Sequence, residues 1–192
     1  MFKKLTVFAL CAVMAAGAAD AAKKKAKIKA EDDESAGESG GDDWVKFEDH
    51  NSVPRPTPDQ EKAGFIVFNR STLERVYPHS RPADGEIKDA VSLQCTLGEY
   101  EPVQLAVYPL KDLKGMTVTV SDLKSGGNVI PASEVVVRMV RFYGLRLSVT
   151  NRDMKGVIPK MLEIAVPLDV PDRKVRPYWV TVRAPEEAKG GV

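Results

Sequence analysis

Glu99 and Glu101 are two carboxylates two positions apart, the smallest arrangement from which acid–base chemistry could be built. No third acid or histidine stands beside them at metal-ligand spacing, so they read better as charges that keep a turn solvated and guard a sheet edge against pairing. His79 lies in the Pro-rich stretch Tyr77-Pro78-His79-Ser80-Arg81-Pro82 and would need a carboxylate partner to act as a base; His50 sits in polar sequence and reads as inert. Cys95 shares one face of an alternating run with Val91, Leu93 and Leu97, which marks a small buried hydrophobe rather than a reactive thiol. Arg138, Arg141 and Arg146 interleave with Phe142 and Tyr143, but positions 138 and 141 point to opposite faces of a strand and give no stripe for nucleic acid. Asn69-Arg70-Ser71 fits a glycosylation triplet, which matters only on a eukaryotic secretory route. The sequence therefore assigns no catalytic, cofactor-binding or metal-binding residue.

Trp179 is the stronger lead. Tyr178, Val180 and Val182 share one face of an alternating segment, and Trp179, Thr181 and Arg183 share the other. Trp179 is then either in the core or on a surface that something else covers. Aromatic faces stack on sugar rings, so Trp179, with Tyr178 and Tyr143, forms the candidate set for contact with a sugar or a neighbouring domain.

The remaining composition places these residues. Across 192 residues, 28 Lys and Arg face 27 Asp and Glu, a formal charge of +1, and nothing in that balance recruits nucleic acid or an anionic membrane. Residues 1–21 combine Lys3 and Lys4, an apolar run from Leu5 to about Ala16, and Ala19-Asp20-Ala21 as an Ala-x-Ala cleavage site. That is the pattern of a secretory signal peptide, and the run falls well short of the roughly 20 residues a membrane span needs. The chain is expected to be exported, periplasmic or extracellular. Cys11 leaves with the leader, and Cys95 alone cannot form an internal disulfide, so packing must supply the stability.

Residues 22–62 read as a disordered linker: a lysine block (Lys23, Lys24, Lys25, Lys27, Lys29), an acidic Gly/Ser-rich block, then Pro54, Pro56 and Pro58. Trp44 and Phe47 stand out in it as residues that could dock on a domain. Residues 63–192 read as one all-β domain, an antiparallel β-sandwich of immunoglobulin-like or jelly-roll-like type, because short alternating runs are bounded by Pro, Gly, Asp and Asn with no sustained helical period. Strands are expected at 64–68, 91–97, 103–108, 116–121, 135–142, 162–167 and 177–183. Gly98 to Pro102 would join the second and third as a hairpin, and Asp122 to Asn128 would form a turn. Arg176 to Val192 reads as a strand, a Pro185-led turn and a stop, so the domain is expected to be truncated before its last strand, with Tyr178 to Arg183 left as an open edge.

Four segments in order, Gly98-Glu99-Tyr100-Glu101-Pro102-Val103-Gln104, Val118-Thr119-Val120-Ser121-Asp122-Leu123, Pro177-Tyr178-Trp179-Val180-Thr181-Val182 and Ala184-Pro185-Glu186-Glu187-Ala188-Lys189-Gly190-Gly191, carry a resemblance. They resemble the amino-terminal β-sandwich of bacterial proteins related to glycoside hydrolase family 123, over roughly Val91 to Val192. In that family a (β/α)8 barrel follows the sandwich and bears an acid pair that assists the acetamido group of a β-linked N-acetylgalactosamine. None of those catalytic residues has a counterpart here. The resemblance thus implies an accessory domain, not an enzyme by itself, whose partner is a downstream catalytic domain. A free-standing carbohydrate-binding or envelope adhesion module is the alternative, and a small enzyme in its own right the third.

Overall fold

A computed structural model of the chain describes residues 12–15, 44–45, 49–88, 90–125, 128–149 and 152–188. The elements in chain order are β1 (Ala12–Ala15), β2 (Trp44–Val45), α1 (Pro58–Ala63), β3 (Phe65–Arg70), β4 (Tyr100–Pro109), β5 (Leu113–Thr119), β6 (Leu123–Ser125), β7 (Asn128–Ile130), β8 (Val135–Val149), β9 (Arg152–Ile164), β10 (Leu168–Val170) and β11 (Arg176–Arg183). Short 3₁₀ turns at Asp84–Glu86 and Ala132–Glu134 complete them. The fold is all-β with little helix. A six-stranded sheet runs β2-β9-β8-β11-β4-β3, a three-stranded sheet β1-β5-β10, and β6 pairs with β7. Every pairing is antiparallel except the short β2–β9 contact.

β4 shows why this sequence makes a central strand. Val103, Leu105 and Val107 point one way, Gln104, Ala106 and Tyr108 the other, and all six are buried. The first set meets β11 residues and the three-stranded sheet: Val107, Met139 and Tyr178 share one core cluster with Leu113, Met116 and Val170. The second set meets β3 and the segment after it, where Ile66, Phe68, Ala106 and Tyr108 pack with Val76 and Val175. β4 therefore has no solvated face along most of its length, as continuous burial from Val103 to Pro109 requires.

Several expectations need correction. β11 is not an open edge: Arg176–Arg183 pairs with β4 and Tyr178–Val182 pairs with β8, so its backbone is bonded on both sides. Residues 91–96 form no strand, because both edges of β4 are taken by β3 and β11 and leave no site for a 91–97 hairpin arm. Their apolar alternation is still real, since Val91 and Leu93 pack on Val103, Leu105 and Val180. The 122–128 turn is narrower than expected, with Leu123–Ser125 and Asn128–Ile130 paired as a two-stranded ladder. The strands expected at 135–142 and 162–167 belong to one long hairpin paired from Arg138↔Ile164 to Val149↔Arg152. Pro159 is admitted by a register shift between Arg141 and Phe142, which removes the need for the ladder N–H that proline lacks.

The region read as a disordered linker is structured at its end. Pro58–Ala63 is a helix with proline in its first turn, a capping box between Thr57 and Gln60, and Gly64 closing it at φ 86°. An alanine in place of Gly64 would be strained by that backbone and would strike the Lys111 side chain. Trp44–Val45 pairs with Lys155–Gly156 through the backbone, whereas Phe47 lies outside the described residues. Most of the expected leader also lies outside them, apart from Ala12–Ala15, which pairs with Met116–Thr119.

Candidate functional site

Two features collect chemistry-bearing side chains. The first is a clasp around Arg70, which sequence reasoning missed. β3 alternates Ile66, Phe68 and Arg70 onto one buried face, so the arginine is carried into the interior by the strand period and is 4% exposed. Its Nε donates to Glu86 Oε1 at 2.6 Å and one terminal nitrogen to Glu86 Oε2 at 2.9 Å. The other terminal nitrogen donates to Asp49 Oδ2 at 3.0 Å and to Ser80 Oγ at 3.2 Å. The Arg81 carbonyl accepts a further bond at 3.0 Å, and the guanidinium carbon stands 5.5 Å from the Phe68 ring centroid. Burial opposes the charge, but the hydrogen bonds and fields of Glu86 and Asp49 outweigh it and raise the pKa of Arg70. All five donors of the guanidinium are used within the protein. The apolar neighbours of Arg70 in its strand were the available signal: an arginine in register with two core positions must bring its own anions inside.

An open cleft of about 460 Å³ lies over this clasp, lined by Asp49, His50, Asn51, Arg70, Glu74, Arg75, Ala83 and Glu86. Its central cation is saturated, and its two innermost carboxylates are spent on that cation. Asp49 Oδ2 also accepts the Arg81 N–H at 2.7 Å, and Glu86 Oε2 accepts the Ala83 N–H at 2.9 Å. The arrangement ties residues 49–51 and 80–86 onto β3. Among the described residues no group of three or more His, Cys, Asp or Glu could hold a metal ion.

The second feature is the Trp179 face. Strand pairing places Trp179 beside Gln104 and Arg138, on the face opposite Tyr178. Trp179 is half-buried. Tyr178 is sealed in the core between the two sheets, and alternation along β8 puts Tyr143 on the Tyr178 side of the sheet, with the Arg141 guanidinium 6.0 Å from its ring. The three aromatics proposed together from sequence are thus separated, and Trp179 remains with the exposed Tyr100, four β11 positions away on the same face.

Tyr178 carries a further consequence. Its hydroxyl is buried without a hydrogen-bond partner among the described residues, and burial pushes its pKa up to about 12 against the opposing field of Arg176. Removing an unsatisfied buried hydroxyl relieves a desolvation penalty. Tyr178→Phe is expected to stabilise the chain by about 1 kcal/mol, read as a higher urea midpoint at unchanged slope; a lower midpoint would show that the hydroxyl is bonded.

The other candidates are accounted for locally. Glu99 Oε2 accepts the Thr96 N–H at 2.7 Å, and that bond holds its carboxyl below the usual range. Glu99 therefore closes a turn, whereas Glu101 lies within β4 opposite Val182 in the ladder. His79 Nε2 lies 3.3 Å from Lys174 Nζ. Arg141 makes two 3.0 Å bonds to Glu163, on the face opposite Arg138. Asn69 Nδ2 donates to the Gln104 carbonyl, which ties up the amide of the glycosylation triplet.

Cys95 is half-buried, and burial first, then the carboxylates Glu101 and Glu99, raise its thiol pKa. Because only the thiolate alkylates, iodoacetamide is expected to modify Cys95 more slowly than a free thiol at pH 8, with a rate that climbs at higher pH than for that thiol. Equal rates would mean that Cys95 is solvated.

Among the described residues no helix is long and apolar enough to cross a membrane. The fold compares with a solved family 123 glycoside hydrolase from Clostridium perfringens, whose structure was analysed for glycolipid glycan hydrolysis: the TM-score is 0.53 at 14% identity. The match covers 66% of this chain and 22% of that one, so this chain spans about a fifth of the length of its solved neighbour. No curated protein matches the chain. Residues 72–192 match the profile of the glycoside hydrolase 123 N-terminal domain, and the chain belongs to that family.

Proposed function

We propose that this chain is the non-catalytic amino-terminal β-sandwich of an exported glycoside hydrolase-like protein, serving as scaffold for a catalytic barrel carried by further polypeptide. The observation that carries this reading is the family match to an N-terminal domain, together with a solved relative whose chain lies mostly outside the region of likeness. The chemistry of the described carboxylates supports it. Glycoside hydrolysis needs two carboxyl groups flanking a sugar bond, about 5 to 9.5 Å apart and free to exchange protons. Asp49 and Glu86 instead neutralise one guanidinium, and Glu99 is fastened to a backbone N–H.

On this reading residues 1–21 are a cleaved leader, residues 22 to about 48 a linker, and the domain begins with the segment held by Arg70. Cleavage after Ala21 removes β1 and leaves β5 paired with β10. Reading the gene beyond codon 192 tests the proposal: an open frame continuing into alternating strands and helices supports it, and a stop codon there overturns it. Trp179 on a face shared with exposed Tyr100 favours a second reading, a carbohydrate-binding module. Glycan-array binding that disappears in Trp179→Ala would favour that reading over the first.

A further inference from the structure

Among the described residues the six-stranded sheet leaves part of one face exposed, around Val136, Ile164 and Tyr100, whereas Val140 on the same face is buried. Strand pairing sets Arg183 beside Tyr100, Thr181 beside Val136, Trp179 beside Arg138, Arg138 beside Ile164 and Val140 beside Leu162, all on that face. Ile164 is 80% exposed, Tyr100 63%, Leu162 44% and Val136 42%. The opposite face is covered by β5 and β10 and by the Leu123 and Ile130 side chains, with Met161 on β9 left 47% exposed, and the β3 half of this face is closed by Val76, Val175 and the Arg70 clasp. A lone exposed leucine such as Leu73 is ordinary; apolar side chains gathered across four adjacent strands around a half-buried tryptophan are the mark of a surface meant to be covered.

The face has the character of an interface. Arg138 and Arg183 stand on it beside Trp179 and Tyr100, with Glu134 at the Arg183 end, and arginine with aromatic residues is the composition enriched at protein contacts. Arg183 is held in place by Glu134 at 3.2 Å and stands 5.9 Å from the Tyr100 ring. β11 delivers the chain to the Tyr100–Arg183 corner, and the residues just after it, held by Gly98 and Glu99 through Ala184, leave from the rim of the exposed area. Attachment to the same polypeptide makes docking intramolecular, which lets a modest patch hold a domain that it could not capture from solution. The solved relative, with most of its chain outside the matched region, has the polypeptide such an arrangement requires.

We propose that the face formed by Tyr100, Val136, Leu162, Ile164 and Trp179 docks the catalytic domain that follows in the same polypeptide, and that Arg138 and Arg183 pair with acidic or carbonyl groups on it. This rests on the reading of the chain as an amino-terminal domain. Hydroxyl-radical footprinting compares the 192-residue chain with the polypeptide extended to the end of its reading frame. Labelling of Tyr100, Leu162 and Ile164 falls about fivefold in the longer protein as their exposed area is covered, while Leu73 labels equally in both. Ile164→Glu restores the labelling of Tyr100 and Leu162 in the longer protein, yet leaves the melting midpoint of the 192-residue chain within about 2 °C, as expected for an exposed site. Equal labelling in the two proteins overturns the proposal. Protection that grows with concentration in the 192-residue chain assigns the face to a second copy, and protection that needs added oligosaccharide assigns it to a glycan; either result also overturns it. A frame that encodes no second domain defeats the functional reading itself, a result visible in the sequence before any footprint is taken.

Discussion

Replacing Arg70 by methionine is expected to lower the thermal midpoint of the chain by about 10 to 15 °C. The cost does not come from losing a favourable ion pair, because burying a charge is itself expensive and the intact clasp is close to break-even against an apolar replacement. It comes from what remains. Without the guanidinium, Asp49 and Glu86 lose the cation that bridges them, and Ser80 and the Arg81 carbonyl lose a donor. Breaking a buried pair from one side costs about 3 to 5 kcal/mol, and the lower end applies here because both carboxylates keep some contact with solvent. Arg70→Lys should recover little, since an ammonium cannot reproduce the two-pronged contact with Glu86. Adding Glu86→Leu to Arg70→Met should recover part of the loss by removing one stranded charge. A drop below about 3 °C in the single variant would mean that the clasp is solvated and does not hold residues 49–51 to the sheet.

Phe68→Ala is expected to destabilise the chain by about 3 to 4 kcal/mol, measured as a shift in denaturant midpoint at constant slope. Phe68 is buried among Ile66, Val76, Ala106, Tyr108 and Val175, so its removal opens a cavity inside the cluster. Its ring also faces the Arg70 guanidinium, so the two substitutions should not add. The double variant is expected to lose less than the sum of the singles by roughly 0.5 to 1 kcal/mol, the size of a cation–π coupling. Strict additivity would place the arginine away from the ring.

The parts of this fold that were legible in sequence are those where one face alternates cleanly. Val103, Leu105 and Val107 gave β4, and Tyr178, Val180 and Val182 gave β11, because period-two burial is a local property. Alternation reports burial, however, not hydrogen bonding, and residues 91–97 show the difference: Val91 and Leu93 pack into the core from a segment that joins no ladder. Partners were beyond reach for a related reason. β11 looked unpaired because residues 184–192 carry no strand pattern to pair with it, yet its neighbours β4 and β8 lie upstream, and strand order is fixed by packing rather than by succession. The long β8–β9 hairpin was only half visible because Gly144, Gly156 and Pro159 interrupt its pattern. α1 was hidden in a proline-rich stretch, although proline at its start and Thr57 three residues before Gln60 are legitimate start signals. The candidate aromatics were separated by the same period-two rule that identified their strand: Tyr178 and Trp179 are neighbours in sequence and therefore face opposite ways.

The resemblance to family 123 sandwiches reached the right family from the order of short segments, and the profile match over residues 72–192 includes all four of them. What the sequence did not expose was the uncovered face, because exposure of Ile164 and Tyr100 depends on where the loops of other strands run.

Purified 192-residue chain incubated with a panel of aryl glycosides, including the N-acetyl-β-galactosaminide, tests most directly whether the reactive groups lie outside it. The account predicts release of the aryl alcohol at the buffer rate. Turnover above that rate, lost on replacing any one of Asp49, Glu86, Glu99 or Glu101, would contradict it.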